Sequence, residues 1–120
     1  MYTFSGRVRF SETDPDGILR MESLIDYFQD CSTFQSEDLG VGMDYLKKGH
    51  LAWVVNYWQI DIRRLPRLGD PIVAGTSPYD IHGFMGMRNF MLESADGERL
   101  VNANSVWSLI DLERGVPVRA

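Results

Sequence analysis

Residues 21–40, MESLIDYFQDCSTFQSEDLG, carry the pattern on which the fold turns. Met21, Leu24, Ile25, Phe28, Cys31 and Ser32 recur at steps of three and four, whereas Glu22, Asp26, Gln29 and Asp30 fall elsewhere. That period puts the first set on one face of an α-helix, in which about 3.6 residues complete a turn. No proline or glycine interrupts residues 21–39, so one helix of about five turns is expected. Gly40 and Gly42 then stop it, because glycine readily takes the left-handed conformation at a helix end. Residues 43–48 can form one or two more turns before Gly49 closes them.

On both sides of the helix the apolar residues alternate instead. Tyr2, Phe4, Val8 and Phe10 share one side of residues 2–10, and Thr3, Ser5, Arg7 and Arg9 the other, which reads as a half-buried strand. Residues 11–17, around Asp14-Pro15-Asp16-Gly17, are a turn-forming acidic loop. Residues 51–65 are rich in β-branched and aromatic side chains, with Val54, Trp58, Ile60 and Ile62 on one face and Asn56 its polar member. Pro66 and Gly69 turn the chain into a strand at 70–81, bent near Gly75 and Pro78. A strand at 84–94, a hairpin turn at Ala95-Asp96-Gly97-Glu98 and a strand at 99–112 follow. The last carries Val101, Ala103, Ser105, Trp107 and Leu109 on one side. Strand, long helix and four strands fit an α+β hot-dog fold: an antiparallel sheet of five strands or more wrapped around one long central helix. Such a sheet has open edges, which are usually paired or protected, so a partner domain is expected.

Composition narrows the setting. The 120 residues suit a single domain, 1–120, and 44% hydrophobic residues suffice for a core. No run approaches the ~18 apolar residues of a membrane span, and residues 1–10 lack the apolar block of a signal peptide. Cys31 is the only cysteine, which excludes an internal disulfide and fits the reducing cytoplasm. A net charge of −5 argues against nucleic acid and anionic membranes as partners. Arg63, Arg64 and Arg67 beside Pro66 form a local basic exception. They read either as a solvated strand end or as a docking spot for an acidic partner.

Three segments carry a family resemblance. LAWVVNYWQIDIRRLPRLGD at 51–70 resembles the Trp-Val-Val strand and Pro, Gly-Asp turn of plant and bacterial acyl-acyl carrier protein thioesterases. GFMGMRNFML at 83–92 resembles their Gly-Met-Arg strand, and VNANSVWSLIDLERGVPVRA at 101–120 their Ser-x-Trp strand. The resemblance implies two fused hot-dog domains, of which this chain is the amino-terminal one. It implies hydrolysis of fatty acyl-acyl carrier protein to free fatty acid in fatty acid biosynthesis. No cofactor of the protein's own is implied, since the substrate carries the phosphopantetheine. The partners implied are acyl carrier protein, meeting Arg63, Arg64 and Arg67, and a second hot-dog domain, fused or in a homodimer.

Thioester hydrolysis needs a base to activate water and N–H donors to polarise the carbonyl. Related hot-dog thioesterases resemble one another in a loop of pattern Asp-x-x-Gly-His-Val-Asn-Asn. Asp14 and Gly17 match it, but Ile18 replaces the histidine, and Arg20 and Met21 replace the asparagines. An isoleucine neither moves a proton nor orients water. The catalytic residues are therefore expected outside this chain, with Asp14 shaping a turn. Asp14 or Asp16 as the base of a homodimeric hydrolase or dehydratase is the alternative, and a catalytically silent acyl-binding or dimerisation module is another. Asp14, Asp16 and Glu22 give too few ligands for a calcium site; His50 and His82 have no ligand-spaced neighbour. No metal is expected. The role left to this half is an acyl pocket, with Phe28 and Cys31 from the helix, and Trp53 and Val54 from the adjoining strand. Met85, Met87 and Met91 would fill its irregular space, in competition with plain core packing. Arg88 and Asn89 fall in the Gly-Met-Arg strand, where a polar side chain in an apolar slot must find a hydrogen bond.

Overall fold

The computed structural model describes residues 1–82 and 85–119. In chain order the elements are strand β1 (Tyr2–Arg7), a 3-10 turn (Phe10–Glu12), helices α1 (Met21–Asp38) and α2 (Met43–Lys48), then strands β2 (Leu51–Ile62), β3 (Pro71–His82), β4 (Met85–Ser94), β5 (Arg99–Asp111) and β6 (Val116–Val118). The strands form one antiparallel sheet in the order β1-β3-β4-β5-β2, with β6 paired to β5. This is the expected hot-dog arrangement, with β1 and β2 as its edges and β6 a strand that the sequence did not announce.

Register sets which side chains meet the helix. Ala74, Phe90, Leu92, Val101, Ala103 and Ser105 share the concave face, because directly opposite residues point the same way. Against them α1 buries Ser23, Leu24, Tyr27, Phe28 and Cys31. Phe28 is fully buried, its ring 5.1 Å from Phe90 and 6.2 Å from Trp58. Phe4 reaches the helix from β1, stacking on Tyr27 and meeting Phe34 edge-on. Helix α1 ends as glycine chemistry dictates. Gly40 takes φ +77°, and the N–H groups of Gly40 and Val41 donate back to Glu37 and Ser36.

Three expectations need correction, and a fourth is not tested. Phe10 leaves the sheet, 81% exposed, because β1 ends at Arg7 and the chain tightens into the 3-10 turn. The helix face is rotated: Met21 is exposed, whereas Ser23 and Tyr27 are buried. A bulge at Asn56, between Val55 and Tyr57, switches the alternation of β2. Trp58, Ile60 and Ile62 therefore stay on the helix side, while Val54, opposite Ser108, turns to the outer face. The expected start of the fourth strand at Phe84 lies outside the described residues.

Phe28→Ala removes the side chain that joins helix to sheet. A loss of about 3–5 kcal/mol is expected, read as a lower urea midpoint with an unchanged slope; a loss below about 1 kcal/mol would show that the ring is not the centre of the core.

Candidate functional site: a cleft beside the central helix

Beyond Cys31 the helix no longer closes on the sheet. A cleft of about 530 Å³ opens there between α1, the segment leading into α2, and strands β2, β4 and β5. One wall is the flank of α1 next to its buried stripe: Gln29, Ser32, Thr33 and Ser36. The roof is apolar, with Leu39, Val41, Met43 and Leu46. The Glu37 carboxylate accepts from the Met43 N–H at 2.9 Å and so fixes the start of α2. The floor is Trp53, Gly86, Arg88 and Trp107. Gly86 faces the helix opposite Trp107, and the Trp53 ring lies over it, 3.7 Å from where a Cβ would stand. Trp107 donates its indole N–H to Ser105 Oγ at 2.7 Å, and Ser105 Oγ donates to the Arg88 carbonyl.

The sequence-expected pocket residues separate. Trp53, Met87 and Arg88 border the cleft. Phe28 and Cys31 do not: both are sealed in the core one stripe away. Val54 is on the outer face because of the bulge. Met85, Met87 and Met91 do share a side of β4, but it is the side away from the helix, since alternation gives the inner positions to Arg88 and Phe90. Met91 is instead buried over Gly75, beside Met1. Asn89 faces outward opposite Asn104. Trp107, Gly86, Ser32 and Ser36 were missed; the signal for Trp107 was its alternation with Ser105 and Leu109, read only as packing.

Arg88 is the one charged member of the cleft wall among the described residues. Its Nη1 donates to Gln35 Oε1 at 2.6 Å and Thr76 Oγ1 at 3.1 Å, so the required hydrogen bonds are present. Burial lowers its pKa from the usual arginine value.

The loop before α1 lies apart from this cleft. Asp14 Oδ1 accepts from the N–H groups of Asp16 and Ile18 at 2.9 and 3.0 Å, and Gly17 supplies φ +78°. The carboxylate shapes a turn. Asp16 is exposed, its carbonyl accepting from Arg67. Of the basic trio, Arg64 pairs with Glu98 at 2.8 Å, and Arg63 and Arg67 are exposed. His50 is exposed, 3.4 Å from Glu113; the His82 side chain lies outside the described residues. Among the described residues no group of three His, Cys, Asp or Glu could hold a metal, and no helix is long and apolar enough to cross a membrane.

The chain matches the family model of the acyl-ACP thioesterase N-terminal domain over residues 1–119. It is 31% identical to the chloroplastic acyl-[acyl-carrier-protein] hydrolase FATB3 of Cuphea viscosissima, covering 87% of this chain and 27% of that protein. A Lactobacillus plantarum protein assigned as an oleoyl thioesterase superposes with TM-score 0.96 at 26% identity, over 99% of this chain and 46% of that one. A Bacteroides thetaiotaomicron acyl-ACP thioesterase superposes with TM-score 0.90 at 24% identity, over 98% of this chain and 49% of that one. The chain thus spans about a quarter of the curated plant relative and about half of each solved one.

Cys31 shows how far the core is closed. Burial pushes its thiol from 9.0 up to about 11, against a smaller opposing pull from Arg88. The folded state favours the neutral thiol, so this contribution to stability is complete below the unfolded pKa and is lost as pH rises from about 9 to about 11. Urea unfolding at both ends of that window should therefore show a larger loss for the native protein than for Cys31→Ala. Equal losses would place the thiol in contact with water.

Proposed function

The chain belongs to the acyl-ACP thioesterase family, as an amino-terminal domain, and from that premise we propose that it holds the acyl chain of a fatty acyl-acyl carrier protein while the thioester is hydrolysed to free fatty acid. The observation that carries this reading is the cleft: apolar roof, aromatic floor, and no Asp, Glu, His or Cys among its lining residues. Such a slot shields methylene groups from water, at about 0.8 kcal/mol for each one buried. It has no group there to activate water. The catalytic base and the oxyanion donors come from a second hot-dog domain that is not a copy of this one. The open edge of β2, with exposed Trp53, Val54 and Tyr57, supports a partner on that side.

Acyl carrier protein delivers the substrate on its phosphopantetheine arm, and the domain needs no cofactor of its own. Exposed Arg63 and Arg67 remain the basic spots for an acidic carrier, with Arg64 already neutralised by Glu98. A single, buried Cys31 suits a cytoplasmic setting.

Calorimetric titration with dodecanoyl-pantetheine tests the binding role. The chain should bind it without hydrolysing it above background. Ser32→Phe, which fills the cleft from the helix side without touching the core, should weaken binding at least ~10-fold at an unchanged melting temperature. Equal affinity in the two proteins would remove the cleft as the site.

A further inference from the structure

Helix α2 roofs the cleft, yet little of the fold holds it there. It has six residues and buries none of them. A helix of that length is unstable by itself and stands on its packing. Here the packing is thin. Met43 is 64% exposed and Tyr45 51%, and Leu39 and Val41, which lead into the helix, are exposed as well. Segments with few buried apolar contacts open at a fraction of the free energy that unfolds the core.

Both ends of the segment are built to turn. Gly40 stands at φ +77° with nothing within 4 Å of where a Cβ would stand, and Gly42 follows two residues later. At the far end come Gly49 and His50, which at φ +53° is the non-glycine residue in the left-handed region among the described residues. The His50 carbonyl accepts from the Leu112 N–H at 2.8 Å and anchors the chain to β5. The roof thus hangs between the end of α1 and the start of β2.

The Glu37 carboxylate spans the first of these turns. It accepts from the Met43 N–H at 2.9 Å, and a Cβ on Gly42 would collide with it. Glu37 belongs to the last turn of α1, which holds no basic residue. The helix dipole disfavours a carboxylate at that end. The placement costs α1 a little and gains the tie to α2.

We infer that residues 39–49 form a lid over the cleft, held shut by the bond from the Met43 N–H to Glu37. Opening breaks that bond, turns the chain at Gly40–Gly42 and Gly49–His50, and bares the floor at Trp53 and Trp107. The inference rests on the acyl-binding reading above and adds how the chain enters and leaves. Leu39, Val41 and Met43 line the cleft and close on the chain, whereas Glu37 is not part of the lining. Its loss therefore alters closure and leaves the wall as it is.

The test combines hydrogen exchange with stopped-flow tryptophan fluorescence during binding of dodecanoyl-pantetheine, on the native protein, Glu37→Ala and Glu37→Gln. In the native protein the α2 amides should exchange well before those of residues 24–31. Glu37→Ala should speed α2 exchange about tenfold or more, as expected for a lost hydrogen bond to a charged acceptor, with residues 24–31 unchanged. The same variant should raise association and dissociation rates together and leave the affinity unchanged, because the bond is lost from free and bound states alike. Glu37→Gln keeps an acceptor oxygen and should fall between the two. Native α2 amides as protected as those of residues 24–31, or α2 exchange or binding rates that Glu37→Ala does not move, overturn the lid alone. No binding of any acyl ligand overturns the cleft reading and the lid with it.

Discussion

The helix is shorter than the sheet it has to cover. Helix α1 has 18 residues, about 27 Å of rise, whereas β5 alone has 13, about 43 Å of extended chain. The mismatch is sharper in side chains, because the buried helix positions stop at Cys31. The next turn offers Ser32, Gln35 and Ser36, which cannot seal against an apolar face. Part of the concave surface, with Trp107 and Gly86, therefore stays uncovered, and α2 roofs it without burying any of its own residues. The cleft follows from a helix whose apolar stripe ends early on a sheet that continues.

Two kinds of contact mark where the core gives way to the cleft. On the core side, Phe28, Phe90 and Trp58 pack ring on ring at 5.1 to 6.2 Å, and Trp58 passes the stack to Trp107 at the cleft floor, 6.2 Å away. On the open side, Arg88 ties Gln35 of the helix to Thr76, a fully buried hydroxyl at the centre of the sheet. An apolar contact at that position would draw the helix down and close the slot. A hydrogen-bonded guanidinium spans the gap instead and keeps one edge of it polar.

The fold was legible because its signals are periodic and local. The helix stripe around Leu24, Phe28 and Cys31, the stop at Gly40 and the alternation from Val101 to Leu109 each depend on neighbours in sequence. The site was less legible because it depends on single-residue events. One extra residue at Asn56 reverses the face of Val54, and no propensity marks that position as a bulge. On β4 the side facing the helix cannot be told from the sequence. Methionines at odd positions and Arg88, Phe90 and Leu92 at even ones give two half-apolar faces, and only the register with β5 decides. Of the three methionines Met87 borders the cleft, whereas Met85 and Met91 do not line it. Strand β6 is three residues long and exists only because β5 extends beyond β4.

The loop before α1 stands on two of its residues. Of the pattern that related hot-dog thioesterases share there, this chain retains Asp14 and Gly17. These are the two residues that build the turn. Asp14 accepts from the Asp16 and Ile18 N–H groups, its own N–H donates to the Ile18 carbonyl, and Gly17 takes the left-handed φ while donating to the Asp14 carbonyl. The positions that differ, Ile18, Arg20 and Met21, enter the loop through backbone bonds or not at all, apart from one Arg20 contact to the Ser11 carbonyl. The Ile18 side chain therefore makes none of the hydrogen bonds on which the loop stands. Leu19, next in the chain, is buried and anchors the loop to the core, with its N–H donating to Pro66. Turn and cleft are thus held by separate sets of contacts, and a change in the one need not disturb the other.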